Sequence, residues 1–271
     1  MENLNDSGKH LRASRAVLPP PAGILAHMGR RSFLSRLDGS GARTGFHGAL
    51  PRDAQQAATL VRLDANQTLF TEGEERRSFF ILTSGMLRAL ATLLDGRRQI
   101  TDFILPGDLL CLADEDVYSH CAEAVIPSEL IAVPTRDMDR AVQQHPGLAR
   151  KMHAMTRGAL RKARERQVLL GCLTASEKVA SFLLLMSRHA IACGLPGNLL
   201  YLPMTRSDIA DYLGLTVETV SRALTGLKKQ GLIRLAAPQV IDLVDEGGLI
   251  RIAALPSVTR GMERPPAVTP C

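Results

Sequence analysis

Glu218, Ser221 and Arg222 stand at i, i+3 and i+4, a spacing that gathers three hydrogen-bonding side chains on one face of a helix. The chemistry they offer together suits the edges of base pairs. An arginine can donate two hydrogen bonds to guanine O6 and N7, a glutamate can accept from the cytosine amino group, and a serine can serve base or phosphate. Each good base contact is worth about 1–3 kcal/mol of discrimination. The plainer alternative is a surface Glu218–Arg222 ion pair worth about 0.3–0.5 kcal/mol. The apolar residues around the trio decide between the two, because they fix which face of the helix points outward.

Those apolar residues describe a pair of helices meeting at a sharp turn. Ala210 is small where a second helix would cross the first, and Gly214, four residues on, can take the left-handed backbone of a tight turn. Ile209, Leu213, Leu215, Val220 and Leu224 would fill the angle between the helices, and Thr216 can cap the second. This is a helix-turn-helix over 206–225, a motif that presents the leading end of its second helix to the DNA major groove. Thr205, Arg206, Thr216, Thr219 and Lys228 are the candidates for contacts to the DNA backbone or flanking bases. Lys228, Lys229 and Gly231 end the second helix with cations and a glycine. Residues 232–235 and 239–243, split by Ala236-Ala237-Pro238, read as a hairpin wing.

Upstream, a helix is expected over 176–192, capped by Thr174 or Ser176, with Val179, Ala180, Phe182, Leu183 and Met186 inward. Residues 194–197 form a loop. Another helix can start at Pro146, proline being suited to a first helical position. Along it Leu148, Met152, Met155, Ala159 and Ala163 recur at spacings of four, three, four and four, while Arg150, Lys151, Arg157, Arg161, Lys162, Arg164 and Arg166 occupy the other faces. A stripe this narrow suits packing against a twin helix in a dimer, with Leu148, Met152, Met155 and Ala159 as the dimerisation residues; the alternative is a helix lying on its own domain's core.

From 59 to 134 short apolar runs alternate with turn signals: Thr68 to Phe70, Phe79 to Leu82, a turn at Ser84-Gly85, Leu87 to Leu94, a hairpin turn at Asp95-Gly96, Gln99 to Leu105, then Pro106-Gly107-Asp108. Such spacing points to an antiparallel barrel, roll or sandwich, or to an irregular α+β domain. The organisation expected is a flexible leader over 1–50 with a short helix near 23–34, a β domain over 51–144, a dimerisation helix over 145–172, a winged helix-turn-helix domain over 173–246, and a proline-rich tail over 254–271.

Charge is distributed accordingly. Residues 1–135 carry 14 Lys/Arg against 16 Asp/Glu, and residues 136–271 carry 19 against 11, so the positive excess lies wholly with the DNA-reading half. The five cysteines, Cys111, Cys121, Cys172, Cys193 and Cys271, are widely spaced and odd in number, which argues against a secreted disulfide framework. Pro19-Pro20-Pro21 and Gly23 interrupt the only N-terminal apolar stretch, and no run approaches the roughly 18 apolar residues of a membrane span. A cytoplasmic protein follows. A cupin-like metal enzyme is the rival from another class, but the seven histidines show no His-x-His spacing, and neither a phosphate-binding glycine loop nor a Gly-x-Ser-x-Gly elbow occurs.

The stretch from Leu202-Pro203-Met204-Thr205 through Arg222 resembles the Crp/Fnr family of bacterial regulators, and its Fnr/FixK branch in particular, whose Glu-x-x-Ser-Arg signature is here Glu218, Ser221 and Arg222. The resemblance continues through 174–182 and, more loosely, through Asp95-Gly96-Arg97-Arg98-Gln99-Ile100 and Leu105-Pro106-Gly107-Asp108. It implies an α+β fold: an N-terminal antiparallel β-roll of the cyclic-nucleotide-binding kind, a long dimerisation helix and a C-terminal winged helix-turn-helix. It also implies a homodimer on a palindrome of TTGA-type half-sites, low-oxygen or nitrogen-related gene control, and contact with RNA polymerase if the protein activates. The departures bear on the signal. No cysteine precedes Cys111 and the late roll reads Leu130-Ile131-Ala132-Val133, so the family's iron–sulfur cluster has no ligands. Residues 114–122 are acidic and lack the arginine that holds a cyclic phosphate. Thr205 stands where some FixK-type members carry a redox-active cysteine. No cofactor is therefore expected, with FixK-type control by protein level as the leading reading; His120 beside Cys121 leaves haem, or another small ligand, as the alternative.

Overall fold

The computed structural model describes residues 46, 48, 50–92, 96–112 and 114–253; the expected helix over 23–34, Asp95 of the hairpin turn and the tail over 254–271 lie outside them. The elements run α1 (Arg52–Ala57), β1 (Thr59–Leu63), β2 (Thr68–Phe70), β3 (Ser78–Thr92), β4 (Arg98–Ile104), β5 (Leu109–Leu110), β6 (Cys121–Pro134), α2 (Thr135–Gln144), α3 (Pro146–Cys172), α4 (Ala175–Ala192), β7 (Leu199–Tyr201), α5 (Arg206–Leu213), α6 (Val217–Lys229), β8 (Ile233–Ala237), β9 (Val240–Leu243) and α7 (Glu246–Ile252). The fold is α+β: an antiparallel sheet in the order β1-β6-β3-β4, with β2 on β6 and β5 on β3, then helices, then a three-stranded sheet in the order β7-β9-β8.

Strand β3 organises the roll. The turn expected at Ser84-Gly85 is instead a bulge within one strand of 15 residues, where the register against β6 shifts between Leu82 and Leu87. Gly85 has φ +92°, and a Cβ there would lie 2.6 Å from the Cα of Ser128, so the bulge requires glycine. Its consequence is a change of parity. Before it, Phe80 and Leu82 face the roll interior with Leu63, Leu110 and Leu130, while Phe79 and Ile81 face Met138, Ala141 and Leu148 of the flanking helices. After it, Leu87 and Ala89 face the interior, and Met86 and Leu90 join the core of the C-terminal half. Arg88 goes with the latter set.

That C-terminal core is continuous with the roll. Phe103 of β4, Phe182 of α4 and Tyr212 of α5 form an aromatic cluster with centroids 5.2–6.2 Å apart, each pair contributing about 0.5–1.5 kcal/mol beyond its buried area. Helix α4 starts at a capping box in which Thr174 accepts from the Glu177 amide and the Glu177 carboxylate accepts from the Thr174 amide at 2.7 Å. Two elements were not anticipated from sequence. Strand β7 adds an edge to the wing, and α7, capped by Asp245, buries Leu249 in the same core, so the C-terminal unit extends to Ala253 rather than ending at 246. Gly248 lies inside α7. It reads as a helix breaker, yet a Cβ there would lie 2.3 Å from Leu232, so close packing demands it.

The stripe read on α3 is partly used within the chain itself. Leu148 is buried among Phe46, Leu50, Phe79 and Met138 of its own chain, and Met152 and Met155 pack against the same cluster. Only Ala159 of the four expected dimerisation residues is exposed. The periodicity located an apolar face correctly but did not say what covers it. The open side of the helix lies away from that stripe: Leu160 and Val168, roughly 110° and 190° around from it, are 53% and 46% exposed.

Candidate nucleic-acid interface

Helix α5 is fixed before α6 can be aimed. Thr205 caps it, accepting from the Asp208 amide at 3.0 Å, while Asp208 Oδ2 accepts from the Thr205 amide at 2.9 Å. At its far end Gly214 takes φ 61° and ψ 45°, the left-handed conformation, and the Leu215 amide returns to the Ala210 carbonyl at 3.0 Å. Thr216 then caps α6 by accepting from the Thr219 amide at 3.2 Å. Ile209, Ala210, Leu213, Val220, Ala223, Leu224 and Leu227 are buried between the helices, with Leu215 packed against them. Helix α6 ends as expected: Gly231 has φ 73° and the Leu232 amide reaches the Leu227 carbonyl at 3.1 Å.

With that face spent on packing, Glu218, Ser221 and Arg222 lie together on the exposed face of α6. They are not locked to each other. No Glu218–Arg222 contact within ion-pair distance occurs among the described residues; Arg222 Nη2 lies 3.5 Å from Thr219 Oγ1. The Ser221 hydroxyl donates to the Val217 carbonyl at 2.9 Å, leaving its lone pairs outward. The Glu218 carboxyl is held below its ordinary pKa, chiefly by its own backbone amide and by the Thr216 hydroxyl at the helix start, with Arg222 adding a smaller effect. It therefore stands as an acceptor at neutral pH. The arrangement can offer one anionic acceptor, one hydroxyl and one guanidinium fork within the first two turns.

The flanking candidates divide. Thr205 and Thr216 spend their hydroxyls on capping, Arg206 is half-buried and donates to the Pro238 carbonyl of the wing at 3.3 Å, and Lys228 is exposed in the last turn of α6. Burial lowers the Arg206 pKa from its ordinary value. The wing is tied to the motif through Gln239, whose carbonyl accepts from Leu202 and whose amide donates to Pro203.

Several residues that support the site were invisible in the pattern reading. Lys178 is buried and donates to the carbonyls of Leu170 and Leu213, the ends of α3 and α5. Arg166 of α3 donates to the Tyr212 carbonyl at 2.9 Å and to Ile100 of the roll, and its guanidinium lies 4.3 Å from the centre of the Tyr212 ring. Arg88 of β3 pairs with Asp208 at 3.0 Å and with Glu123 at 2.8 Å. One clue to it was available: Arg88 interrupts an otherwise apolar strand segment, and a charge on a covered face must find a partner.

Comparison with known proteins agrees with this geometry. A Crp-like helix-turn-helix domain model matches residues 177–252, and a cyclic nucleotide-binding domain model matches residues 60–145. The chain is 36% identical over 203 residues to the nitrogen fixation regulation protein FixK of Bradyrhizobium diazoefficiens, covering 75% of this chain and 85% of that protein. It is 34% identical over 193 residues to the transcriptional activator protein FnrA of Stutzerimonas stutzeri, covering 70% and 79%. Among solved structures, FixK2 from Bradyrhizobium japonicum superposes with a TM-score of 0.69 at 38% identity, over 73% of this chain and 98% of that one.

The second domain model raises the question of a cyclic nucleotide. The residues present do not fit one. Between β5 and β6 the chain offers Asp114, Glu115 and Asp116 and carries no Arg or Lys. Phe70 and Tyr118 stack at 3.9 Å within the roll interior. Nearby, Arg76 donates through Nε to the Glu115 carbonyl and lies over the face of Phe79, with its Nη1 buried and without a hydrogen-bond partner.

Proposed function

Because the chain belongs to the Crp/Fnr family of DNA-binding transcription regulators, on its FixK-like branch, we propose that it binds as a homodimer to a palindrome of TTGA-type half-sites, reading base edges with Glu218, Ser221 and Arg222. The observation that carries this reading is the exposed trio on a helix whose opposite face is wholly buried. Arg206 and Lys228 supply backbone contacts at either end of the motif. Thr205 and Thr216 act mainly by capping, Thr219 contributes the amide that the Thr216 cap accepts from, and backbone amides at the start of α6 are available to a phosphate. The dimer forms through the open face of α3 around Leu160 and Val168, where large apolar side chains are otherwise left to solvent.

The relatives' names extend the proposal to biology: nitrogen fixation regulation for FixK and transcriptional activation for FnrA. This chain accordingly activates low-oxygen or nitrogen-related genes and contacts RNA polymerase when bound upstream of them. It works without a cyclic nucleotide or iron–sulfur cluster, its occupancy of DNA following its concentration. His120, the residue a haem would need, is engaged with Ser119 at 3.2 Å and sits edge-on to Phe70. No helix among the described residues is long and apolar enough to cross a membrane, in keeping with a cytoplasmic site of action.

Fluorescence anisotropy on a TTGA palindrome and a scrambled duplex, at one stated salt concentration, tests the proposal. The palindrome should bind about 10³-fold or more tightly, with no change on adding cyclic AMP. Equal affinity for the two duplexes would overturn sequence reading, and a requirement for the nucleotide would overturn effector-free control.

A further inference from the structure

Helix α5 is gripped at both ends by residues of the roll and of α3. At its start, Arg88 Nη1 donates to Asp208 Oδ1 at 3.0 Å, and Arg98 of β4 approaches the same oxygen at 3.5 Å and Asp211 at 3.7 Å. At its end, Gln99 of β4 donates to the Asp211 carbonyl and Arg166 bridges Ile100 and Tyr212. Asp208 is the hinge of this arrangement. Its Oδ2 closes the capping box of α5 with Thr205, and its Oδ1 receives Arg88. One carboxylate thus couples the helix's own start to a strand of the other domain. The side chains of Arg88 and Asp208 are 10% and 3% exposed, so the contact is largely out of water; Glu123 is the second partner of Arg88 and Arg98 that of Asp208.

The bulge at Gly85 is what makes the contact possible, since without the parity change Arg88 would point into the roll interior. The contact leaves α6 free. Glu218, Ser221 and Arg222 are exposed while α5 is docked, so the docked pose does not hide the base-reading face.

We infer that Arg88, through Asp208, is a positioning residue for DNA recognition: it holds the helix-turn-helix against the roll in its DNA-reading pose, so that the two reading heads of a dimer keep a fixed separation. This rests on the homodimer-on-palindrome reading above. A single half-site asks only for one correctly folded motif, whereas a palindrome also asks for the right distance and angle between two. Loss of Arg88 therefore relaxes spacing rather than base preference.

The test uses the full chain and TTGA palindromes whose half-site spacing is natural, or longer or shorter by one and two base pairs. The wild type should discriminate sharply among the spacings. Arg88→Met should lose roughly tenfold on the natural spacing, bind all spacings within a narrow range, and keep wild-type affinity and base preference on a single half-site. Asp208→Asn, which keeps an acceptor for the Thr205 cap, should do the same. Arg88→Lys should recover part of the spacing discrimination, and Arg98→Ala, at a partly exposed position, gives a milder form in a protein that folds. Wild-type spacing discrimination in Arg88→Met and Arg98→Ala alike would overturn the inference, as would parallel losses on half-site and palindrome. A wild type that itself ignores spacing would instead overturn the dimer reading.

Discussion

The ammonium of Lys178 lies 3.3 Å from the carbonyl oxygen of Leu213, the last residue of α5, and 3.1 Å from that of Leu170 near the end of α3. A buried cation at two helix C-termini satisfies carbonyls that have no partner within their helices and complements both dipoles. From its place in α4 it also ties the end of the long helix to the end of α5 in the DNA-binding motif.

Lys178→Met keeps the volume and removes the donor. Two carbonyls are left without it, and stability should fall by about 1–3 kcal/mol. Urea unfolding reads this as a lower midpoint at unchanged slope. An unaltered midpoint would mean that the ammonium is idle.

The face of α3 that a second copy can use is testable by contrast. Leu160→Glu places a charge at an exposed apolar position and should give monomers in sedimentation at micromolar concentration, with a melting temperature that no longer depends on protein concentration. Met155 packs on its own chain, so Met155→Glu should lower the melting temperature instead. A Leu160→Glu dimer as tight as the wild type would remove this interface.

Acid should weaken the fold through two half-buried histidines. Burial lowers the pKa of His189 from its ordinary 6.5, with Lys162 acting in the same direction and Asp108 against it; burial likewise lowers His120, against Asp114 and Glu72. The unfolded chain then takes up protons first. Their contribution is complete above about pH 6.5 and is lost as pH falls below that toward the depressed folded values. Melting followed from about pH 7.5 to 5.5 should show His189→Asn losing less stability than the wild type across that window. An identical slope in the variant would show that His189 does not titrate between the folded and unfolded states.

What could be read from sequence was what is local. The motif over 206–225 depends on residues within a few positions of each other, Ala210 and Gly214, Thr216 and Thr219, Glu218 and Arg222, and its turn, caps and exposed face all stand as spacing implied. What escaped depends on distant partners. Arg88 and Asp208 are 120 positions apart, and no periodicity links them. Ser84-Gly85 carried the signature of a turn, but the neighbouring Ser128 and Pro127 make it a bulge. The α3 stripe showed the same limit: a spacing of four and three identifies a face, and only the tertiary fold decides whether that face meets the roll or a twin.

Base reading by the exposed trio on α6 is decided by measuring binding to every single-base variant of the half-site. Wild type should show a steep penalty at each contacted position. Arg222→Ala should lose about 1–3 kcal/mol per half-site and flatten the penalty at one base pair, leaving the others steep. A uniform loss on all duplexes, random DNA included, with the profile unchanged, would mean that Arg222 holds the phosphate backbone and that bases are read elsewhere.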